Sequence, residues 1–274
     1  MYKLIAFDLD GTLLDDDKNI PAENLAALKE AADRGVYIVP STGRVVAGLP
    51  KIIRDLPFVH WCITVNGANV CSKTGEEVLY KAELTPEESR RILEYMDTLP
   101  VIYDCYKDNW GYMTRSMQEQ AGDYVFVPGI LRLVRELRSP VDELKAYLAE
   151  KNEPVQKIQM YFQDMEERAR QLALAPELFP ELAVSSAVPN NIEFNAKGAD
   201  KGSALRALCE KLGIAPEETI AFGDGSNDIS MLRAGGMGVA MANASEGVKA
   251  AADYITDTNN HAGVGKAIRK FVLT

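Results

Sequence analysis

Residues 4 to 14 read LIAFDLDGTLL, an apolar run that ends in two aspartates, a glycine and a threonine. A short continuous apolar run bounded by turn residues is typical of a strand that is buried on both faces. In an open parallel sheet, ligands bind beyond the carboxyl ends of the strands, where Asp8 and Asp10 are expected to lie. Asp-Gly is also common in turns, but a turn does not explain a second carboxylate at the end of an apolar strand. The stretch therefore predicts a strand-end site with two carboxylates.

Strand and helix patterns alternate after this stretch. In chain order they predict a helix from Ile20-Pro21 to Gly35, a strand at 36–39, a helix at 45–56, a strand at 62–65, and a hairpin from 68–71 and 78–80. Such alternation implies right-handed crossovers between parallel strands. Asn66-Gly67, directly after the third strand, is predicted first as a turn and only secondarily as a substrate contact.

The segment from residue 85 to residue 190 has a different pattern, in which helices and strands come in pairs. Helix starts are predicted at Thr85-Pro86-Glu87-Glu88, which forms a capping box, and at Ser139-Pro140-Val141-Asp142. The alternating pattern returns with a helix at 201–212 and a strand at 219–222. We therefore predict a discontinuous core of residues 1–84 and 191–274, with an α+β domain of residues 85–190 inserted into it.

A second apolar strand ends in polar residues near the C-terminus. Residues 219 to 232 read TIAFGDGSNDISML, so that Asp224 and Asp228 follow the strand and precede a helix. Magnesium prefers oxygen ligands and is commonly held by a few carboxylates together with water and phosphate. Asp8, Asp10 and Asp224 are predicted ligands. Asp228 could equally well ligate the metal or only cap the helix.

Two further features suggest phosphate binding. Residues 36 to 44 read VYIVPSTGR, in which a strand ends in Ser-Thr-Gly before a predicted helix, and a helix start with free amides and hydroxyls favours phosphate. Lys201 stands at the start of a later helix. Each feature is weak alone, because a threonine before a helix is usually a cap and a lysine is usually on the surface.

Composition excludes several classes of function. The 274 residues include 40 acidic and 30 basic side chains, for a formal net charge of -10, which does not favour binding to nucleic acid or to anionic membranes. An anionic substrate would therefore need local cations. The apolar run at residues 4 to 7 is too short for a signal peptide or a membrane span, so a cytoplasmic location is expected.

Four motifs in a fixed order resemble those of one family. They are Asp8-Leu9-Asp10-Gly11-Thr12, then Thr42-Gly43-Arg44, then Lys201-Gly202, and finally Gly223-Asp224 with Asn227-Asp228. The chain resembles the haloacid dehalogenase superfamily, and most closely its Cof-type phosphatases of subclass IIB. The resemblance implies a doubly wound, mostly parallel α/β sheet with an α+β cap domain between the second and third motifs, in the place of residues 85–190.

The resemblance also implies a role for each site residue. Asp8 is expected to be the nucleophile and Asp10 the general acid and base, so that hydrolysis is split into two displacements through an aspartyl phosphate. The phosphate-binding residues are expected to be Thr42, Gly43, Arg44, Lys201 and Asn227. The expected cofactor is Mg²⁺, with the ligands Asp8, Asp10, Asp224 and Asp228.

The predicted function is magnesium-dependent hydrolysis of a small phosphorylated metabolite, with sugar phosphates expected before pyridoxal phosphate or flavin mononucleotide. One alternative is a phosphomutase of the phosphomannomutase type, in which the phosphoryl group returns to a sugar. The final stretch, GVAMANASEGVKAAADYIT at 238–256, favours hydrolysis. A second alternative is a non-catalytic regulator that binds a phosphometabolite, against which the intact acidic residues argue. The protein is expected to be a monomer or a weak homodimer.

Overall fold

The computed structural model describes residues 1–274, and the chain forms two compact units. The first unit consists of residues 1–44, 49–80 and 200–274, and the second of residues 45–48 and 81–199. The segment 85–190, predicted as an inserted domain, lies inside the second unit. None of the helices combines the length and the apolar character that crossing a membrane requires.

The chain contains fourteen strands and twelve α-helices. The strands are β1 Leu4–Phe7, β2 Tyr37–Pro40, β3 Trp61–Thr64, β4 Asn69–Ser72, β5 Val78–Lys81, β6 Val101–Lys107, β7 Trp110–Thr114, β8 Arg138–Val141, β9 Lys157–Phe162, β10 Leu182–Ser185, β11 Asn191–Ala196, β12 Thr219–Gly223, β13 Met237–Ala240 and β14 Tyr254–Ile255. The helices are α1 Ala22–Asp33, α2 Lys51–Arg54, α3 Pro86–Met96, α4 Arg115–Glu119, α5 Ala121–Tyr124, α6 Pro128–Glu136, α7 Leu144–Lys151, α8 Met165–Leu178, α9 Lys201–Leu212, α10 Ile229–Ala234, α11 Glu246–Lys249 and α12 Gly263–Phe271.

The first unit is built on a parallel sheet with the strand order β14-β13-β12-β1-β2. Ile5 of β1 is in register with Ile220 of β12 on one side and with Ile38 of β2 on the other. Two isolated parallel bridges connect β2 with β3: Ile38 of β2 pairs with Val59, and Ser41, directly after β2, pairs with Ile63 of β3. The predicted α/β core with a mostly parallel sheet is therefore confirmed.

The position of β1 in this sheet explains its composition. All four of its residues are completely buried, and Leu4 and Ala6 pack in one cluster with residues of α9 and α10. Because side chains alternate along a strand, Ile5 and Phe7 point to the opposite face of the sheet. The central strand is thus apolar on both faces, and its first polar side chain comes where it ends, at Asp8.

The second unit contains a six-stranded sheet with the order β10-β11-β9-β6-β7-β8, in which only β7 and β8 are parallel. Helices α3, α7 and α8 contribute to the apolar core on one face of this sheet. Two buried ion pairs lie among its strands, Arg138 with Asp104 at 3.0 Å and Lys157 with Glu193 at 2.7 Å. This unit has α+β architecture.

Two predicted helices are wrong, and each stretch contains a proline. The pattern at 45–56 forms only a short 3₁₀ turn, Val46–Gly48, and the one-turn helix α2, because Pro50 lacks an amide hydrogen and restricts the residue before it. The stretch beginning at Ser139 is not a helix start, since it lies in β8 and α7 begins only at Leu144. Pro140 is tolerated there because β8 is at the edge of its sheet.

Candidate active site

The site is formed where the neighbouring strands β1 and β12 end. Asp8 follows β1, and its amide donates to the carbonyl of Phe222 at 3.0 Å, which continues the sheet pairing by one residue. Asp224 follows β12 directly. One oxygen of Asp224 accepts a hydrogen bond from the Thr12 hydroxyl at 2.7 Å. Two carboxylates from distant parts of the chain are thereby brought to the same edge of the sheet.

Lys201 brings a positive charge to these carboxylates. It is the first residue of α9, which is capped by the Asp200 carboxylate accepting from the Ser203 amide at 2.9 Å. The Lys201 side chain is completely buried, and its Nζ donates to Asp8 at 2.6 Å and to Asp228 at 2.5 Å. This lysine, for which a surface position is the ordinary expectation, is instead a buried bridge between two aspartates.

Hydrogen bonds from within the protein engage both carboxylate oxygens of Asp228. One of its oxygens accepts from Lys201, and the other accepts from the amides of Asp224 at 3.1 Å and Gly225 at 2.9 Å. Oxygen atoms of Asp8, Asp224 and Asp228 nevertheless all lie within 4.8 Å of one another. Asp228 therefore orients the loop after β12 as well as contributing charge.

This cluster contains three carboxylates and one ammonium group, and the pKa values reflect the excess of negative charge. Burial is the main cause that raises the pKa of Asp8 to about 7; Lys201 opposes it, and Asp228 and Asp224 add to it. Burial also raises the pKa of Asp224, against the hydrogen bond from Thr12. Burial alone would lower the pKa of Lys201, but Asp228 and Asp8 raise it above its ordinary value. The cluster has an excess of negative charge that favours a further cation.

The Asp10 carboxylate lies outside this cluster. It forms ion pairs with Arg44 at 2.8 Å and with Lys18 at 2.9 Å. Burial works against the charged form, but Arg44 and Lys18 hold the pKa of Asp10 below its ordinary value. The structure thus places the Asp10 carboxylate beside Arg44, a predicted phosphate-binding residue, and not with the other three predicted metal ligands.

The other predicted phosphate-binding residues lie on loops that meet at a tight turn. Thr42 is buried, and its hydroxyl accepts from the Arg44 amide at 3.3 Å. The Thr42 amide itself is not free, since it donates to the carbonyl of Ile63 at 2.9 Å. Asn227 donates to Asn66 at 3.1 Å. Thr42 and Asn227 are thus connected through the turn that follows β3.

Some contacts at the site go beyond what the sequence predicts. The Thr12 hydroxyl that binds Asp224 belongs to the first motif, so the pattern contains a signal for it. Lys18 has no such signal, because a lysine in a polar loop is usually solvated. For Asn66 the sequence indicates first a turn, and its side-chain partner has no local signal.

Gly67 in this turn allows a close approach that a larger residue would prevent. Its φ is +99°, and a Cβ atom there would lie 2.2 Å from the Asp200 carbonyl oxygen. We expect Gly67→Ala to lower the free energy of unfolding by about 3 kcal/mol, from the backbone strain and the overpacking together.

Gly35→Ala is the matched control, because Gly35 has a φ of +84° and a Cβ atom there would have no other atom within 4 Å. It should cost only about 1 kcal/mol. Equal losses in chemical denaturation would contradict this account.

Clustered carboxylates and a buried lysine at the strand ends of a parallel sheet are typical of an enzyme active site. The model of the haloacid dehalogenase-like hydrolases matches residues 5–268, and the chain belongs to this family. It is a hydrolase of the phosphatase class, which confirms the prediction from the sequence motifs.

Named relatives align with almost the whole length of this chain. The 5-amino-6-(5-phospho-D-ribitylamino)uracil phosphatase YcsE of Bacillus subtilis is 34% identical, over 99% of this chain and 96% of its own length. The HMP-PP phosphatase of Klebsiella pneumoniae is 29% identical, over 91% and 88%. Among solved structures, the subclass IIB sugar phosphatase BT4131 matches with a TM-score of 0.82 and 27% identity, over 99% of this chain and all of that one.

Proposed function

We propose that this protein hydrolyses a phosphate monoester of a small metabolite in a Mg²⁺-dependent reaction, with Asp8 as the nucleophile. The observation that carries the proposal is the contact of 2.6 Å between Lys201 Nζ and a carboxylate that stands at a strand end with Asp224 and Asp228. A phosphate dianion could not approach this many carboxylates without cations beside them. The site therefore supplies one cation, Lys201, and is suited to hold another.

The donor atoms fit magnesium. All are carboxylate oxygens, which a hard cation prefers, and the cluster carries three carboxylates against one lysine. Asp8 and Asp224 are the residues that would hold the ion, because both oxygens of Asp228 already accept hydrogen bonds from the protein. Asp10 is less suited in this arrangement, since Arg44 and Lys18 engage its carboxylate. When bound, the ion would neutralise charge on the phosphoryl group.

The side chains of this site have complementary tasks in such a reaction. The Asp8 carboxylate attacks phosphorus and forms an acyl phosphate, which water then hydrolyses. Lys201 keeps Asp8 in position and offsets the charge that develops on the phosphoryl oxygens. Asp10 is assigned the transfer of a proton to the leaving oxygen and from the attacking water. The first step needs the protonated form of Asp10 and leaves it ionised. Arg44 and Lys18 favour that ionised form, which the second step needs.

The named relatives suggest a substrate class. The sugar phosphatase and the phosphatase for 5-amino-6-(5-phospho-D-ribitylamino)uracil both act, by their names, on a phosphate ester of a polyhydroxylated carbon chain. We propose the same class for this protein. A panel of sugar phosphates, phosphoribitylamino-uracil, pyridoxal phosphate and flavin mononucleotide, ranked by kcat/KM, tests it. A preference for pyridoxal phosphate, whose phosphate is carried by a hydroxymethyl group on an aromatic ring, would overturn the proposed class, whereas flavin mononucleotide, a ribityl phosphate, falls within it.

Removal of metal should stop turnover and reduce stability. We expect no release of phosphate from p-nitrophenyl phosphate in EDTA, full activity after Mg²⁺ is returned, and a higher Tm with Mg²⁺ than without. At a concentration 100 times the Kd, the ion would stabilise the fold by about 2.7 kcal/mol. Asp224→Asn should lose most of the rise in Tm, whereas the control Asp33→Asn, at an exposed position of α1, should keep it. Full activity in EDTA would refute the magnesium dependence.

A further inference from the structure

The turn after β3 has an unusual backbone. Three consecutive residues have positive φ values, 51° at Val65, 55° at Asn66 and 99° at Gly67. Glycine and asparagine tolerate this region, but a β-branched residue rarely adopts it. Val65 is nevertheless completely buried there. Strained backbone of this kind persists only where the surrounding contacts determine it, and it is frequent at functional sites.

Main-chain hydrogen bonds join this turn to the loop that contains Thr42. The amide of Val65 donates to the carbonyl of Arg44 at 3.0 Å, and the amide of Asn66 donates to the carbonyl of Thr42 at 3.0 Å. On its other side, Gly67 lies against the backbone of Asp200, directly before Lys201. The turn therefore contacts two segments that provide predicted phosphate-binding residues.

The Asn66 side chain joins a third segment to these two. Its Oδ1 accepts from Nδ2 of Asn227 at 3.1 Å, and it lies so close to Gly43 that a Cβ atom on that glycine would be 2.9 Å away. Asn66 is buried, whereas Asn227 is exposed in the short 3₁₀ turn Ser226–Asp228. The buried amide thus fixes the exposed one.

We infer that Asn66 is a positioning residue for phosphate, which acts by fixing the carboxamide of Asn227. The inference rests on the proposed function. The Asn227 amide has two N–H donors and one acceptor. When one N–H is bound to Asn66, the other N–H is presented in a defined direction, and the acceptor is directed toward Gly225, where a Cβ atom would be 2.5 Å from it. Without Asn66 the carboxamide could rotate and turn an oxygen toward the anion.

The variant Asn66→Gly removes the carboxamide and keeps the backbone, because glycine adopts positive φ readily. We expect it to weaken the binding of inorganic phosphate, measured calorimetrically with Mg²⁺ present, by about tenfold, the effect of one hydrogen bond. KM for p-nitrophenyl phosphate should rise by a similar factor. Both kcat and the rise in Tm that Mg²⁺ causes should stay within about twofold of their wild-type values. Asn152→Gly is the matched control, since Asn152 also has a positive φ but is exposed at the end of α7.

A double-mutant cycle separates positioning from direct contact. If Asn66 acts through Asn227, then Asn66→Gly will have no further effect on the phosphate Kd in an Asn227→Ala background. Independent, multiplying losses would show that Asn66 acts on phosphate by itself and would overturn the inference, as would an unchanged Kd in Asn66→Gly alone. Wild-type protein that neither binds phosphate nor hydrolyses p-nitrophenyl phosphate would instead overturn the proposed function, and the inference with it.

Discussion

Asp8→Asn is expected to reduce the turnover of p-nitrophenyl phosphate at least about 1,000-fold and to leave the protein folded. An amide is a poor nucleophile toward phosphorus, so the covalent step is lost even if substrate still binds. The side chain keeps nearly the same shape, and its oxygen can still accept from Lys201, which lies 2.6 Å from Asp8. The loss should therefore appear in kcat much more than in the binding of inorganic phosphate.

The same variant should not lower stability in the absence of metal. Asp8 belongs to a cluster of three carboxylates that share one lysine, and burial raises the pKa of Asp8 to about 7, so its negative charge is unfavourable there. Removal of that charge relieves repulsion with Asp228 and Asp224. We expect the Tm of Asp8→Asn in EDTA to equal or exceed that of the wild type. A residue that costs stability and is needed for turnover is what a catalytic role predicts.

The nucleophile can also be identified without measuring turnover. Hydride reduction of an acyl phosphate converts the aspartate to homoserine, and peptide mass spectrometry of substrate-treated protein should find this change at Asp8. Asp17→Asn is the matched control for activity, because Asp17 is exposed on the same loop. Undiminished turnover in Asp8→Asn, or the reduced residue at another aspartate, would remove Asp8 from the mechanism.

Local sequence patterns are sufficient to predict the sheet and the meeting of its strand ends. The runs at residues 4–7 and 219–223 are buried, and the aspartate that follows each run marks the strand end. Since parallel strands end on the same edge, the closeness of Asp8 and Asp224 follows from two local patterns. Of the two wrong helices, the one at 45–56 is interrupted by Pro50, whereas Ser139-Pro140 has the features of a helix start but lies in β8.

Side-chain partners are less predictable, because they depend on contacts between distant residues. Asp10 follows Asp8 by two positions, yet its carboxylate binds Lys18 and Arg44, while Asp8 binds Lys201. No local pattern distinguishes these partners. Asn66 is a similar case, since Asn-Gly indicates a turn whether or not the side chain reaches Asn227, 161 residues later. Sequence patterns thus locate the site, and the folded structure determines how its charges are paired.

Lys201→Met is expected to have the opposite effect on stability from Asp8→Asn. Methionine has a similar length and favours a helix, so the change removes mainly the charge. The Lys201 ammonium group donates to Asp8 and Asp228 in a completely buried position. Loss of one partner from a buried ion pair leaves an uncompensated charge and typically costs roughly 3–5 kcal/mol. We expect a loss of that size in urea denaturation with EDTA, and at least about a 100-fold loss of turnover with Mg²⁺.

Two comparisons test whether charge is the cause. Lys211→Met, at an exposed position of the same helix, should change stability by less than about 0.5 kcal/mol. The double variant Asp8→Asn with Lys201→Met should be more stable in EDTA than Lys201→Met alone, because it has one buried carboxylate fewer without a partner. If the double variant is instead no more stable, the loss in Lys201→Met arises from packing and not from charge. Recovery of stability would show that the balance between Lys201 and the surrounding aspartates holds this site together before any metal or substrate binds.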